Sequence, residues 1–290
     1  MTEKRAELLL ASVIVARSTS FVFNKLGLGT MSPFNLLAVR FLLAFVLLLA
    51  LFGKRLRGVS GRTLRHGCIL GTLFFGIMSC EMFALQTVHS GTVSLLENMA
   101  ILFVPLIESI LTRTRPKAAT CLTAVVALIG VALLTSGGGS FHLGRGECIA
   151  LCSAVLYACA IIGMDRFAHQ EDGFVLGILQ VGILGTLALI ASFIFEAPRL
   201  PQTGGEWGII LALSLVCTGF GYTLQPVAQA HTTAQRAGLF CALSPLFATI
   251  FGAVLLHEEI TPRGGVGIAL ILGSLLLPHF LKGKHHGDKV

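Results

Sequence analysis

Charge is scarce in this 290-residue chain. Asp, Glu, Lys and Arg together make up 12% of it, about half the roughly 25% of a soluble domain. Gly173–Phe195 and Ala237–Leu256 contain none of the four. With 54% apolar residues and a mean hydropathy of +0.86, a soluble enzyme, a disordered chain and a coiled coil are excluded. Catalytic signatures are also missing. The chain has no phosphate-binding glycine loop, no G-x-S-x-G, no H-E-x-x-H and no C-x-x-C, which disfavours ATP-driven transport by this chain alone. No cofactor and no metal are expected. Glycine is plentiful at 33 residues but lacks a G-X-Y period, so it reads as close packing between membrane helices rather than collagen.

What remains is a chain of apolar spans. A bilayer-crossing helix needs about 20 residues, so ten spans fit if the loops are short. Apolar runs and their punctuation place the spans at about 7–25, 33–52, 66–86, 91–111, 118–135, 147–164, 173–195, 207–225, 236–256 and 264–281. Ser32-Pro33 supplies an N-cap and first-turn proline for the second. Ser136-Gly137-Gly138-Gly139 ends the fifth. Met1–Arg5 followed by Ala6–Ala16 has the layout of a signal peptide, but Arg17 directly after the apolar run argues for a retained helix.

Basic residues set the orientation. With the N-terminus inside, 15 of the 21 Lys and Arg fall in inner segments and only Arg145, Arg199 and Arg263 in outer ones; Arg17, Lys25 and Arg40 lie within spans. Both termini are therefore expected in the cytoplasm. The net charge of +7 follows from this bias and from the acidic lipid surface, not from a nucleic-acid groove. The eight cysteines all lie in apolar runs and read as small packing residues.

The chain repeats itself faintly. Ser12–Lys25 (SVIVARSTSFVFNK) and Ser153–Arg166 (SAVLYACAIIGMDR) align at an offset of 141. Ala84–Pro105 and Pro226–Pro245 each carry a His after a short polar turn, then a Pro in the next span. Five spans per copy is an odd number, so the second copy enters from the opposite side. The expected fold is all-α and integral to the membrane: ten transmembrane helices as two inverted five-helix repeats, residues 1–140 and 141–290.

Several motifs resemble the EamA-type branch of the drug/metabolite transporter superfamily. Ser18-Thr19-Ser20-Phe21-Val22-Phe23-Asn24-Lys25 is similar to its first-helix motif. Ser32-Pro33-Phe34 through Arg40-Phe41 is similar to its second-helix start. Phe103-Val104-Pro105-Leu106 and Ser244-Pro245-Leu246-Phe247 are similar to its paired proline motifs, and Glu258-Glu259-Ile260-Thr261-Pro262 to the acidic turn before its last helix. The resemblance implies ten helices, two inverted halves and a central cavity for small metabolites, often amino acids moved outward. The chain departs from the family at Arg17-Ser18, where the family usually has Trp-Gly.

The charges in the interiors of spans all belong to the first half: Arg17, Lys25, Arg40, Glu81, Glu97 and Glu108. Buried charge in a membrane is costly and marks function by default. Arg17 and Glu81 lie near the middles of their spans. Either they form a static clamp, or a zwitterion replaces the pair with its carboxylate on Arg17 and its amine on Glu81. Glu97 and Glu108, 11 apart on one helical face, are either two stations of an ion path or end-of-helix groups reaching interfacial water. The proton-coupling candidates are thus Glu81, Glu97 and Glu108. Arg40 is read as structural and Lys25 as snorkelling to an interface.

In the second half, Tyr157, Gln180, Tyr222 and Gln225 are candidate solute contacts or interhelical glue, with Gln229 on the Tyr222–Gln225 stripe. His89 and His231 are read as capping or interface groups.

The expected function is a secondary transporter of small polar metabolites, amino acids or related zwitterions and organic anions, in a prokaryotic inner (cytoplasmic) membrane. The expected partners are a small-molecule substrate, membrane lipid and a proton; nucleic acid is not one. The oligomeric state is monomer or homodimer. The alternatives are an exporter of organic cations or drugs with proton antiport, and a non-transporting membrane protein.

Overall fold

The computed structural model describes residues 3–113, 144–231, 243–259 and 262–283, with scattered positions between 122 and 141. The fifth expected span, 118–135, and Cys121 and Cys241 lie largely or wholly outside the described residues.

Helices run in chain order: α1 Glu3–Leu28, α2 Pro33–Phe52, α3 Gly61–Leu85, α4 Ser90–Asn98, α5 Ala100–Thr112, α6 Arg145–Ala168, α7 Gly173–Phe195, α8 Gly204–Leu211, α9 Thr223–Gln229, α10 Leu243–Leu256 and α11 Pro262–Gly283. A π-helical segment, Ala212–Tyr222, joins α8 to α9 without interruption. Among the described residues the only strand pairing is a two-residue antiparallel one, Ser136 opposite Phe141 and Gly137 opposite Ser140. Among the described residues seven helices are long and apolar enough to cross a membrane, and Ser244–Leu256 is a shorter apolar helix.

Side-chain caps open three of the helices. The Ser60 hydroxyl accepts the Thr63 N–H at 3.0 Å to open α3. Asp172 accepts from Phe174 at 2.8 Å to open α7, and Thr203 accepts from Glu206 at 3.2 Å to open α8. Each side chain replaces a helical partner that the first turn lacks. The limits of α2 and α7 coincide with the expected spans. The fourth span differs, being broken at Met99 into α4 and α5. Asn98 Nδ2 donates to the Ser94 carbonyl at 2.8 Å, and the Met99 N–H turns to Leu96 at 3.1 Å. The side-chain bond competes with the ladder and the helix tightens there.

The centre packs α2 against α7, α3 against α6 and α7, and α1 against the π segment and α10. Small residues make this possible. A Cβ on Gly67 would lie 2.7 Å from Leu179 Cβ, and one on Gly71 2.5 Å from Ile183 Cβ. Helices of equal apolarity to lipid associate through such close approach. Gly204 and Gly208 share that spacing, but a Cβ on either would meet nothing within 4 Å among the described residues.

One end of the bundle is closed by carboxylates from the second half. Glu196, just after α7, accepts the Phe34 and Asn35 N–H groups at 2.9 and 2.8 Å. Glu258, just after α10, accepts the Ser90 N–H at 2.9 Å and the Ser90 hydroxyl at 2.7 Å. Lys25 also reaches Glu258, at 2.8 Å, and donates to the Val88 carbonyl at 2.9 Å. Lys25 is therefore an ion-paired staple rather than a snorkelling side chain. At the opposite end Glu171 accepts from Thr63 at 2.6 Å and lies 3.6 Å from Arg62.

Candidate functional site

Arg17 projects from the middle of α1 and is 8% exposed. Its stem crosses Gly221, where a Cβ would sit 2.7 Å from Arg17 Cγ. The guanidinium donates to the Tyr157 hydroxyl on α6 at 3.1 Å and to the Tyr222 hydroxyl at 3.2 Å. It also donates to Gln225 Oε1 on α9, and among the described residues its Nε has no partner. The charge lies 4.2 Å from the Tyr222 ring centroid and 5.6 Å from that of Tyr157, within cation–π range. Every direct acceptor of this cation is neutral.

Glu81 is engaged elsewhere. It accepts from Asn24 Nδ2 at 2.8 Å. Asn24 Oδ1 in turn accepts from Arg40 Nη1 at 2.9 Å, and Arg40 Nε donates to Thr218 at 2.8 Å. The chain Arg40–Asn24–Glu81 balances that carboxylate. No ion pair joins Arg17 to Glu81 among the described residues, so the static-clamp alternative finds no support there. Asn24 relays charge between α1, α2 and α3 because an amide both donates and accepts. It was not singled out in the sequence, although a buried Asn beside a Lys in an apolar helix was the available signal.

Arg17, Glu81, Glu97, Asn98, Tyr157 and Ser244 line one small cavity, with room for about a single water. Glu97, expected nearer the outer end of its span, is 2% exposed and sits in the last turn of α4 beside the break at Met99. Its Oε2 has no partner among the described residues. A discontinuous helix at a buried polar site is how membrane proteins expose backbone and side-chain groups to a solute. Asn98 and Ser244 were missed in the sequence; Ser244 accepts from Ser18 at 3.2 Å.

The remaining expected residues lie outside this cavity. Gln180 donates to the Tyr222 carbonyl at 2.8 Å and so fixes the junction of the π segment with α9. Gln229 is buried with its Oε1 unpartnered. Glu108 is exposed on α5. His89 occupies the N-cap position of α4 without a side-chain cap bond, and exposed His231 stands 3.0 Å from the Val227 carbonyl. Among the described residues no group of His, Cys, Asp and Glu is arranged to hold a metal.

The model of the EamA-like transporter family matches residues 4–136 and again 144–278. The chain belongs to the EamA-like transporter family. It is a multi-span membrane protein of a transporter family for small molecules. An uncharacterized transporter of Archaeoglobus fulgidus is 28% identical over 277 residues, spanning 90% of this chain and 94% of the relative. The biotin transporter of Escherichia coli K12 is 25% identical over 280 residues, spanning 93% and 91%. A crystal structure with a TM-score of 0.71 and 21% identity covers 96% of this chain and 97% of its own; it speaks for the fold alone.

Proposed function

We propose that this EamA-family chain is a secondary transporter that carries small polar metabolites bearing a carboxylate across a prokaryotic inner membrane by alternating access. Amino acids, related zwitterions and organic anions make up the substrate class. The observation that carries this reading is Arg17, a buried guanidinium whose direct acceptors are two phenols and an amide. A guanidinium keeps its charge and offers a planar fork, so a solute carboxylate is its natural counter-ion. Arg17, Tyr157, Tyr222 and Gln225 hold the solute in this reading, with Glu81 and Glu97 beside it and Gln180 steadying Tyr222. Biotin, in the name of one relative, is itself a carboxylate.

Ten helices in two inverted halves, residues 1–140 and 141–290, suit the same reading. The family model matches twice. The helix pairing is also closed under exchange of the halves: α3 with α6 is mirrored by α1 with the π segment, and α4 with α6 by α1 with α10. The basic bias speaks for cytoplasmic termini. The working partners are substrate, lipid and a proton, for a monomer or homodimer that is no enzyme, takes no cofactor and binds no nucleic acid.

A second reading, proton-antiporting export of organic cations, draws on the two acids Glu81 and Glu97 that share the cavity with one arginine. Uptake by proteoliposomes separates the two. Amino acids, biotin and organic cations are offered with and without a pH gradient. Carboxylates are expected to be carried, and Arg17→Ala to stop them. Transport restricted to cations overturns the first reading in favour of the second.

A further inference from the structure

The cavity holds two unmatched polar atoms of opposite kind. Among the described residues, Arg17 Nε is a donor without an acceptor, and Glu97 Oε2 is an acceptor without a donor. Ser153 approaches the Glu97 carboxyl, and the side chain sits beside the carbonyls that end a half-helix. The charged and titratable groups around it are Arg17 on α1, Glu81 and Cys80 on α3, Tyr157 on α6 and Tyr222 on the π segment, with Cys152 of α6 next to Cys80. The α10 helix presents Ser244 there and, among its described residues, no titratable side chain. Glu81 is already balanced through Asn24 and Arg40. The free balance within the cavity is thus one cation, Arg17, against one acid, Glu97.

We propose that an anionic solute and one proton enter this site together, the carboxylate on Arg17 and the proton on Glu97 Oε2. This rests on reading the Arg17 cavity as the substrate site. Above the pH at which Glu97 ionises in the empty site, Arg17 positive and Glu97 negative leave no net charge. A bound carboxylate adds one negative charge in a dry space of about one water, where unscreened charge is expensive. A proton from the surrounding water forms an O–H bond at Oε2 and restores neutrality. The same proton turns an acceptor-only group into a donor, which suits it to a second oxygen of the solute. Asn98, one residue on and lining the cavity, is the adjacent amide. Loading and release are then electrically neutral, and a carrier of this kind moves anion and proton in one direction.

The test uses purified full-length protein in detergent. Acetate, biotin and alanine are titrated by calorimetry in two buffers of different ionisation enthalpy, which counts the protons taken up per molecule bound. Wild type is expected to take up close to one proton with acetate or biotin above the pH at which the empty site protonates. Affinity should then rise by about tenfold for each unit fall in pH. Glu97→Gln should bind the same probe with no proton uptake and a flat pH profile, and Arg17→Ala should not bind it. Arg17-dependent binding without proton uptake in the wild type overturns the coupling and leaves the Arg17 site standing. Uptake that persists in Glu97→Gln overturns the assignment to Glu97. Binding that survives Arg17→Ala, or none by any probe, overturns the site itself. The wild-type proton count needs no variant, so a poorly folding Glu97→Gln does not block the test.

Discussion

Lys25 and Glu258, 233 positions apart in sequence, meet at 2.8 Å, and the same carboxylate holds the Ser90 N–H and hydroxyl. One side chain thereby joins α1, α4 and the turn after α10. His257, with φ at +52°, makes that turn in the left-handed region, and the Glu258 N–H returns to the Gly252 carbonyl at 3.2 Å.

Acid should loosen this junction. Burial pushes the Glu258 carboxyl up, but the Lys25 ammonium and the Ser90 donors outweigh it and hold the group below its ordinary value of 4.5. A depressed carboxyl stabilises the fold above the unfolded value, and that contribution disappears as pH falls through the folded one. Thermal unfolding below about pH 4.5 should steepen in its pH dependence, and Glu258→Gln should flatten it. At neutral pH the same change should cost about 1–3 kcal/mol. An unchanged Tm in that variant would show that the junction contributes nothing to stability.

Gly221→Ala should disturb the Arg17 site without touching a polar group. Its Cβ would lie 2.7 Å from Arg17 Cγ, on the stem rather than the mobile tip. Overpacking of this kind costs about 1–3 kcal/mol, and solute binding should weaken with it. Gly208→Ala, with open space around it, is the matched control and should bind normally.

Glu81→Gln should read as a stability variant. It removes the negative charge that ends the Arg40–Asn24–Glu81 chain and leaves Arg40 without its balancing charge, at a cost of about 1–3 kcal/mol. The pH dependence of transport should persist. Loss of that dependence with an unchanged melting temperature would transfer the coupling role from Glu97 to Glu81.

Arg17→Lys should keep the charge and lose the fork, so affinity should fall while some transport remains. Arg17→Ala should abolish transport yet leave Glu81 bonded to Asn24, so its melting temperature should fall less than that of Glu81→Gln. Wild-type affinity in folded Arg17→Ala would remove this residue from the site.

Cysteine labelling on a cysteine-free background tests the orientation. A probe at Ser60 should be reached only from the cytoplasm, and one at Gln202 only from outside. The reverse pattern would invert the topology and exchange the two ends of the bundle.

The limits of α2 and α7 were legible because Pro33 opens the one and a run free of Asp, Glu, Lys and Arg spans the other. The Arg17 neighbours Tyr157, Tyr222 and Gln225 were each visible as polar groups in apolar helices. Their convergence was not, since the Arg17–Gln225 pair spans 208 positions and no helical spacing encodes it. Glu81 was chosen as the arginine's partner because both lie mid-span. Depth in a membrane does not fix which helices touch, and Asn24 intervened. The break at Met99 escaped the hydropathy pattern because it depends on the Asn98 side chain bonding to the Ser94 carbonyl. Pro105 was the visible helix breaker, but its missing N–H frees only one carbonyl in the middle of α5.

Glu196 and Glu258 bear on the order in which the nascent chain acquires its shape. Ser32 and His89, the residues at the N-caps of α2 and α4, make no side-chain cap bond of their own. The bonds come from carboxylates translated more than a hundred residues later. The first half therefore leaves the ribosome with two helix ends unfinished, held by water at the bilayer surface, and is completed only when the second half arrives. The halves produced as two separate polypeptides should each insert, but the first should resist proteolysis at these ends only in the presence of the second.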